Sequence, residues 1–472
     1  MPRERVIKSA AFAGDHSMTE YIVPEGIESI EEGAFYHCTG LRRITLPKSL
    51  ICISDDAFAR CSSLEEITLP EGLEYLGNCV FDRCIKLKKL SLPNSLIDFG
   101  LSLIHGCTSL SRLSLPNSLQ YIDASFFNSC TALKEIEIRE SPKSHSRYIF
   151  EDNLLLSSDR RSLIYLPVGL AHGEIEIPDG IAEIMPHAID DCHDMIKITL
   201  PSSIEHIAPG TFQHCSSLKA IQIKTSTNIH TDFYIHDGML WQGKKLICCP
   251  AQHPTQNGII IIPPDTEAIG ESAFEDCRTI KEVIFEGYML EIPNRAFHKC
   301  TGLERITLPE GLEILGERAF EGCCNLKQID NMSDMLASVG RRAFQGCASI
   351  ESLSFGNQIT EIPDHVASGC TSLKSIYVGD SVKSIGNGAF YGCESLTNID
   401  LPDTVESIGS SAFGECSSLT SIDMPKLLRV VGSGAFYGNE NEEFLNLLAT
   451  EFHNSCDESL SADSDEATDS KA

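Results

Sequence analysis

Tryptophan occurs once in the 472 residues, at Trp241, and no stretch approaches the 18 consecutive apolar residues that a membrane-crossing helix needs. Basic side chains are scarce as well. Against 67 Asp and Glu stand only 37 Lys and Arg, leaving a net charge of −30. Such an excess repels phosphate backbones and anionic membrane surfaces, so it speaks against nucleic acid as a partner and against membrane insertion. From Glu440 to Ala472 there are ten acidic residues and one lysine, so most of the excess is spread along the rest of the chain. The first fifteen residues hold no apolar region long enough for a signal peptide, and the chain as written reads as soluble and leaderless. Also missing are a Gly-rich phosphate loop, a nucleophile elbow and a metal-protease motif. The pairs Cys248-Cys249 and Cys323-Cys324 and the neighbours His37-Cys38 and His214-Cys215 fit no zinc spacing. The sequence therefore assigns no cofactor and no metal ligand.

A ruler is present instead. Phe12, Phe35, Phe58, Phe81, Ile104 and Phe127 fall at a constant interval of 23. Ile189 and Phe212 resume it, and Phe274, Phe297, Phe320, Phe344, Ala367, Phe390, Phe413 and Phe436 continue it, with one extra residue before Phe344. These sixteen coils are interrupted twice. Each interruption stretches the interval to 62, so the same surplus is inserted both times. Within a coil, Leu-x-x-Ile-x-Leu has the alternation of a short strand, and the following Pro ends it because it offers no N–H. The segment Ala-Phe-x-x-Cys-x-x-Leu spaces its apolar residues by three, which suits a tight helical or 3₁₀ turn. One such coil cannot bury its own apolar edge, so neighbours must stack.

The repeated Leu-x-x-Ile-x-Leu-Pro-x-x-Leu-x-x-Ile-x-x-x-Ala-Phe-x-x-Cys resembles the BspA-like family of leucine-rich repeats, from about Ile7 to Phe436. Both surpluses also resemble that family's hairpin break, as in Phe233 to Pro250 and Tyr148 to Pro167. The resemblance implies a repeat solenoid, a horseshoe or arc with a parallel strand ladder on one face and short turns on the other. It also implies a surface-displayed adhesin or host-interaction factor. On this reading residues 1–438 form the solenoid, with hairpin insertions near 139–184 and 224–269. Phe444, Leu447, Leu448 and Phe452 have helical spacing, predicting a capping helix over 439–453, and the Ser/Asp/Glu-rich residues 454–472 read as a disordered acidic tail.

Fourteen of the twenty cysteines, from Cys38 to Cys416, sit three residues after the ruler, where they read as a column of reduced, buried side chains. The fifteen histidines read as surface or turn residues.

The strand residues flanking the central Ile point outward. In the N-terminal half they form a mixed-charge column (Arg43, Glu66, Lys89, Arg112, Glu135, Lys197) beside a largely hydroxyl one (Thr45, Thr68, Ser91, Ser114, Glu137, Thr199). Toward the C-terminus the columns become Ser352, Ser375, Asn398, Ser421 and Ser354, Tyr377, Asp400, Asp423. Two readings of this face stand side by side: a binding surface anchored by Tyr377, and a solvated sheet whose Ser and Thr are simply good strand residues. Asp400 and Asp423, in adjacent coils, approach the spacing of a glycosidase carboxylate pair. An open face, however, neither excludes water nor raises one pKa, which weighs against an enzyme. The expectation is non-catalytic recognition of a protein or glycoprotein partner by the strand face, supplemented by the insertions with Trp241. An intracellular scaffold is the alternative.

Overall fold

Three alternating residues are too few to hold a strand in water, and Leu-x-x-Ile-x-Leu gains stability only by pairing with its copy in the next coil. The computed structural model describes residues 5–119, 121–122, 124–139, 146–225, 231–255, 257–332 and 334–439. The expected capping helix beyond residue 439, and the tail, lie outside them. The chain forms two compact units that divide between Gly243 and Lys244.

In the first unit Glu20–Ile22, Arg43–Thr45 and Glu66–Ile67 pair in parallel, as do Lys89–Ser91, Arg112–Pro116 and Glu135–Arg139. Partners lie one ruler interval apart, so Ile44 faces Ile67 and Leu113 faces Ile136. In the second unit the same ladder runs Ile259–Ile262, Glu282–Phe285, Arg305–Thr307, Gln328–Asp330 and resumes at Ser352–Ser354, Ser375–Tyr377, Asn398–Asp400, Ser421–Asp423. In these last four strands the central residue is buried and its neighbours are exposed. The expected alternation is therefore present in these strands, whereas Ser114, expected to point outward, is buried and donates its hydroxyl to Glu137.

A second parallel ladder, of two-residue strands, was not anticipated. It links Val6–Ile7, Ser29–Ile30, Cys52–Ile53 and Tyr75–Leu76 in the first unit, and Glu361–Ile362, Ser384–Ile385, Ser407–Ile408 and Val430–Val431 in the second. Its inward residue in most coils is the Ile or Leu that the sequence places nine positions after the strand Ile, as Ile385 follows Ile376. At the corner that follows, Gly409 lies so close to the preceding coil that a Cβ would run into the backbone of Asn387.

The ruler segment is a chain of turns, and helix is confined to two 3₁₀ pieces among the described residues, Ala124–Phe127 and Val168–Leu170. The cause is local. The residues two before and two after the ruler take positive φ in coil after coil, as at Arg318 (56°) and Gly322 (76°) around Phe320. A left-handed residue ends any right-handed helical run. The ruler N–H consequently donates to the next coil, Phe297 N to the Ala319 carbonyl at 2.8 Å and Phe320 N to that of Ala343 at 2.7 Å.

Inside, the ruler rings stack face to face: Phe35 and Phe58 at 5.3 Å, Phe274 and Phe297 at 4.9 Å, Phe297 and Phe320 at 5.2 Å, with planes within 15° of parallel. Where Ala367 replaces a ring, buried Phe355 enters from the strand side and meets Phe390 edge-on at 6.2 Å. The cysteine column is buried throughout. Its thiols also act as donors, because Cys323 Sγ reaches the Phe297 carbonyl at 3.0 Å and Cys347 Sγ that of Phe320 at 3.1 Å. Each of those carbonyls already accepts the N–H three residues ahead, so the thiol fills its second lone pair.

The two surpluses differ from simple projecting hairpins. Tyr148–Glu151 and Leu154–Ser157 pair antiparallel, but the following Ser162–Tyr165 joins the short ladder beside Glu183–Ile184, and Gly173–Glu176 joins the strand face beside Met195–Leu200. Tyr165 stacks on Phe127 at 4.2 Å in place of a ruler ring. The second surplus repeats this plan, with a Phe233–His236 and Met239–Gln242 hairpin in the first unit. In the second unit Lys245–Cys248 pairs with Ala268–Ile269, and Ile259–Ile262 with Glu282–Phe285. Each surplus thus carries one further coil together with a hairpin.

Replacing Phe320 with Ala removes a ring held on both sides, and a loss of about 3–5 kcal/mol in denaturant unfolding is expected. A loss below about 1 kcal/mol would show that the stack contributes little. The thiols give a pH dependence. Burial favours the neutral form and pushes Cys130, Cys370 and Cys416 up to about 12, against 9.0 in the unfolded chain. The folded state therefore keeps protons that the unfolded state releases, so this contribution is complete below pH 9.0 and is lost as pH rises toward 12. Unfolding midpoints should fall once pH passes 9.0, and a midpoint that is flat there contradicts the assignment.

Candidate functional site

The structure brings the C-terminal outward residues together on one sheet. Ser352 pairs with Ser375, Ser354 with Tyr377, Tyr377 with Asp400, Asn398 with Ser421 and Asp400 with Asp423. All eight are exposed. Tyr377 is 48% exposed, and its hydroxyl donates to Asn357 Oδ1 at 3.2 Å, which holds the ring over the sheet. The same Asn357 oxygen accepts the Asp380 N–H at 3.0 Å.

The extra residue before Phe344 has a consequence on this face. Among the described residues the strand ladder stops at Gln328–Asp330 and restarts at Ser352–Ser354, with Asn331 in the left-handed region at φ 61° between them. A coil that is one residue longer than its neighbour cannot keep both its strand and its turn in register with it. The turn keeps register, since Phe320 N still bonds the Ala343 carbonyl and the two rings stack at 5.6 Å. The mismatch therefore falls on the strand side. There it opens a hollow of about 420 Å³, rimmed by Gln328, Ser352, Ser354, Ser375 and Tyr377 and touched by Lys327, with Met332, Leu353 and Ile376 also lining it.

This geometry offers hydroxyls, an amide and one aromatic ring over an apolar floor. Four of the eight residues singled out in the sequence line the hollow: Ser352, Ser354, Ser375 and Tyr377. Asn398, Asp400, Ser421 and Asp423 extend the face away from it. Gln328 and Met332 were missed, and the signal that could have found them was the single long interval before Phe344. Asp400 and Asp423 face each other directly but stand exposed on an open sheet. Trp241 departs from expectation. At 3% exposure it packs inside, against the edge of His236, and offers no surface to a partner. Its neighbour Tyr234, 44% exposed, is the outward aromatic of that hairpin.

Asp190, Asp191 and His214, on the turn side of the first unit, also converge, although no spacing in the sequence suggested metal-type donors. No helix among the described residues is long and apolar enough to cross a membrane.

Among solved structures, the chain is similar to a leucine-rich repeat protein from Eubacterium ventriosum, with 19% identity, 90% of this chain and 84% of that one covered, and a TM-score of 0.46. It is also similar to one from Bacteroides ovatus at 23% identity, with 93% and 80% covered and a TM-score of 0.32. A leucine rich cell surface protein from Faecalibacterium prausnitzii matches at 19% identity, with 90% and 92% covered and a TM-score of 0.38. No curated protein matches the chain. The family model for the BspA type leucine rich repeat region (6 copies) matches residues 5–125, 52–159, 171–237, 255–373 and 337–456. With its repeat matched over most of its length and its coils stacked at the ruler interval, the chain belongs to the BspA-type leucine-rich repeat family.

Proposed function

We propose that this chain is a non-catalytic recognition protein whose C-terminal strand face binds a protein or glycoprotein partner, with the hollow beside Tyr377 as its anchor point. The observation that carries the reading is the break in the second unit's strand ladder at its one long coil, which places a half-exposed aromatic ring and a rim of hydroxyls around an apolar floor. Aromatic anchors beside a pocket concentrate binding energy, and uncharged polar groups around them accept either backbone or sugar hydroxyl partners. The net charge of −30 supports a partner other than nucleic acid.

Adhesion at a cell surface or to a host is the setting that the family resemblance implies. One observation favours an intracellular scaffold instead: all nineteen described cysteines are free thiols, a state suited to a reducing compartment. Protease shaving of whole cells distinguishes the two, since a displayed chain is cleaved and an internal one survives.

A partner captured with the intact chain as bait makes the face testable. Converting Tyr377 and Asp400 to Ala should weaken binding by about tenfold or more, while stability shifts by only about 0.5 kcal/mol per site. Arg112 and Glu135, joined at 2.7 Å on the N-terminal strand face, are the control pair whose removal should leave that affinity unchanged. Equal losses from both pairs would remove the C-terminal face as the site. Undiminished binding in the Tyr377/Asp400 variant would do the same.

A further inference from the structure

Asp191 and His214 occupy the same turn position in adjacent coils, two residues beyond Ile189 and Phe212. At that position the backbone is left-handed, with φ 61° and 56°, and consecutive coils lie about 4.8 Å apart. Asp190, one residue earlier, is only 7% exposed. Three donor atoms meet here. His214 Nδ1 lies 2.8 Å from Asp190 Oδ1 and 3.3 Å from Asp191 Oδ1. Two more imidazoles flank them: His187 Nδ1 is 3.1 Å from Asp190 Oδ2, and His193 Nε2 is 3.9 Å from Asp191 Oδ1.

The molecule contains simpler versions of such a contact. Asp82 meets His105 at 2.6 Å and Glu275 meets His298 at 2.7 Å, each a single carboxylate on a single imidazole nitrogen. One ring nitrogen carries at most one proton, so one oxygen satisfies it. At His214 two carboxylates from two residues crowd the same nitrogen, and the cationic groups that meet both acids are imidazoles. The result is two largely enclosed carboxylates on consecutive residues that share one imidazole nitrogen.

The spacing matters as much as the charge. Ligands about 2.0–2.1 Å from a common zinc-like ion stand roughly 2.8–3.4 Å from one another, the edge of an octahedron or a tetrahedron. The two separations at His214 Nδ1, 2.8 and 3.3 Å, lie at that edge length, and all three donor atoms fall within 4.8 Å of one another. The outer oxygen of Asp191 is already held, since the Ser129 N–H donates to Oδ2 at 3.2 Å, and the inner oxygen is thereby turned toward His214. Fixing a ligand by its second oxygen is how proteins orient a metal-binding carboxylate.

We infer that Asp190, Asp191 and His214 form a binding site for a divalent transition-metal ion of the zinc type, with water completing the coordination. Mixed imidazole and carboxylate donors select such ions over calcium or magnesium, which take oxygen ligands. The site bridges two coils, so the ion would fasten the turn side of one to the next. It lies on the opposite side of the coil from the strand face, and it is independent of partner recognition there.

The test uses the full chain with the metal alone. Titration with Zn²⁺ by calorimetry and with Co²⁺ by visible absorption should show one saturable equivalent, with a nitrogen–oxygen ligand spectrum and a raised unfolding midpoint. His214→Ala should weaken it by about tenfold or more, and His298→Ala, in the single-carboxylate pair, should leave it unchanged. Asp191→Asn keeps the shape of the side chain and decides the matter should His214→Ala fail to fold. The inference is overturned by the absence of a saturable equivalent, by wild-type affinity in the Asp191→Asn variant, or by a thiolate-to-cobalt charge-transfer band, which would place the ion on cysteines.

Discussion

Each coil presents an edge of unpaired backbone groups and an edge of apolar side chains, and a neighbour satisfies both only when it arrives in register. Everything else in the structure depends on that condition. The ruler rings stack within 15° of parallel, ruler N–H groups cross to the next coil, and the two ladders advance by the same interval. Burial of the rings and pairing of the backbone are one requirement, because a shift of one residue along a strand would turn its buried face outward. The cysteine column belongs to it too, as a thiol small enough to sit beneath a ring while donating to a carbonyl of the coil before.

How much of this was legible follows from what repeats. The ruler interval, the strand with its central buried residue and the column of fourteen cysteines are periodic signals, and the sequence displays them without reference to any contact. The left-handed residues at either side of the ruler were less visible. Gly322, Gly346 and Gly392 hint at them, but Arg318, Arg342 and His365 adopt the same backbone, and nothing in an arginine announces positive φ. Hence the turns were expected to be 3₁₀, and the second ladder went unseen. Part of each surplus goes unrecognised because Tyr165-Leu166 and Cys248-Cys249 stand where the ruler motif would be, so the coils they belong to carry no recognisable Ala-Phe.

The candidate sites show the same division. The exposed columns from Ser352 to Asp423 follow from strand alternation and were readable. The hollow beside them depends on one inserted residue and on which side of the coil absorbs it, a question of competing registers rather than pattern. Trp241 looked like an anchor because it is rare, yet rarity says nothing about direction, and the ring points inward. Asp190, Asp191 and His214 escaped attention because a spacing rule looks along one segment, whereas their donors meet across a coil boundary.

The interrupted ladder also bears on how the second unit comes apart. In a linear stack, stability is a sum of the terms within coils and the couplings between nearest neighbours. Between the coils of Gln328–Asp330 and Ser352–Ser354 the strand coupling is missing, and the turn bonds and the Phe320–Phe344 contact remain. A weak link in a one-dimensional chain is where cooperativity divides. The coils beyond it can open as a block while those before it stay closed, so amide hydrogens from Ser352 onward would exchange together and ahead of the rest. The hollow is then also a hinge in the energetic sense, and a partner bridging it would splice the two blocks into a single cooperative unit.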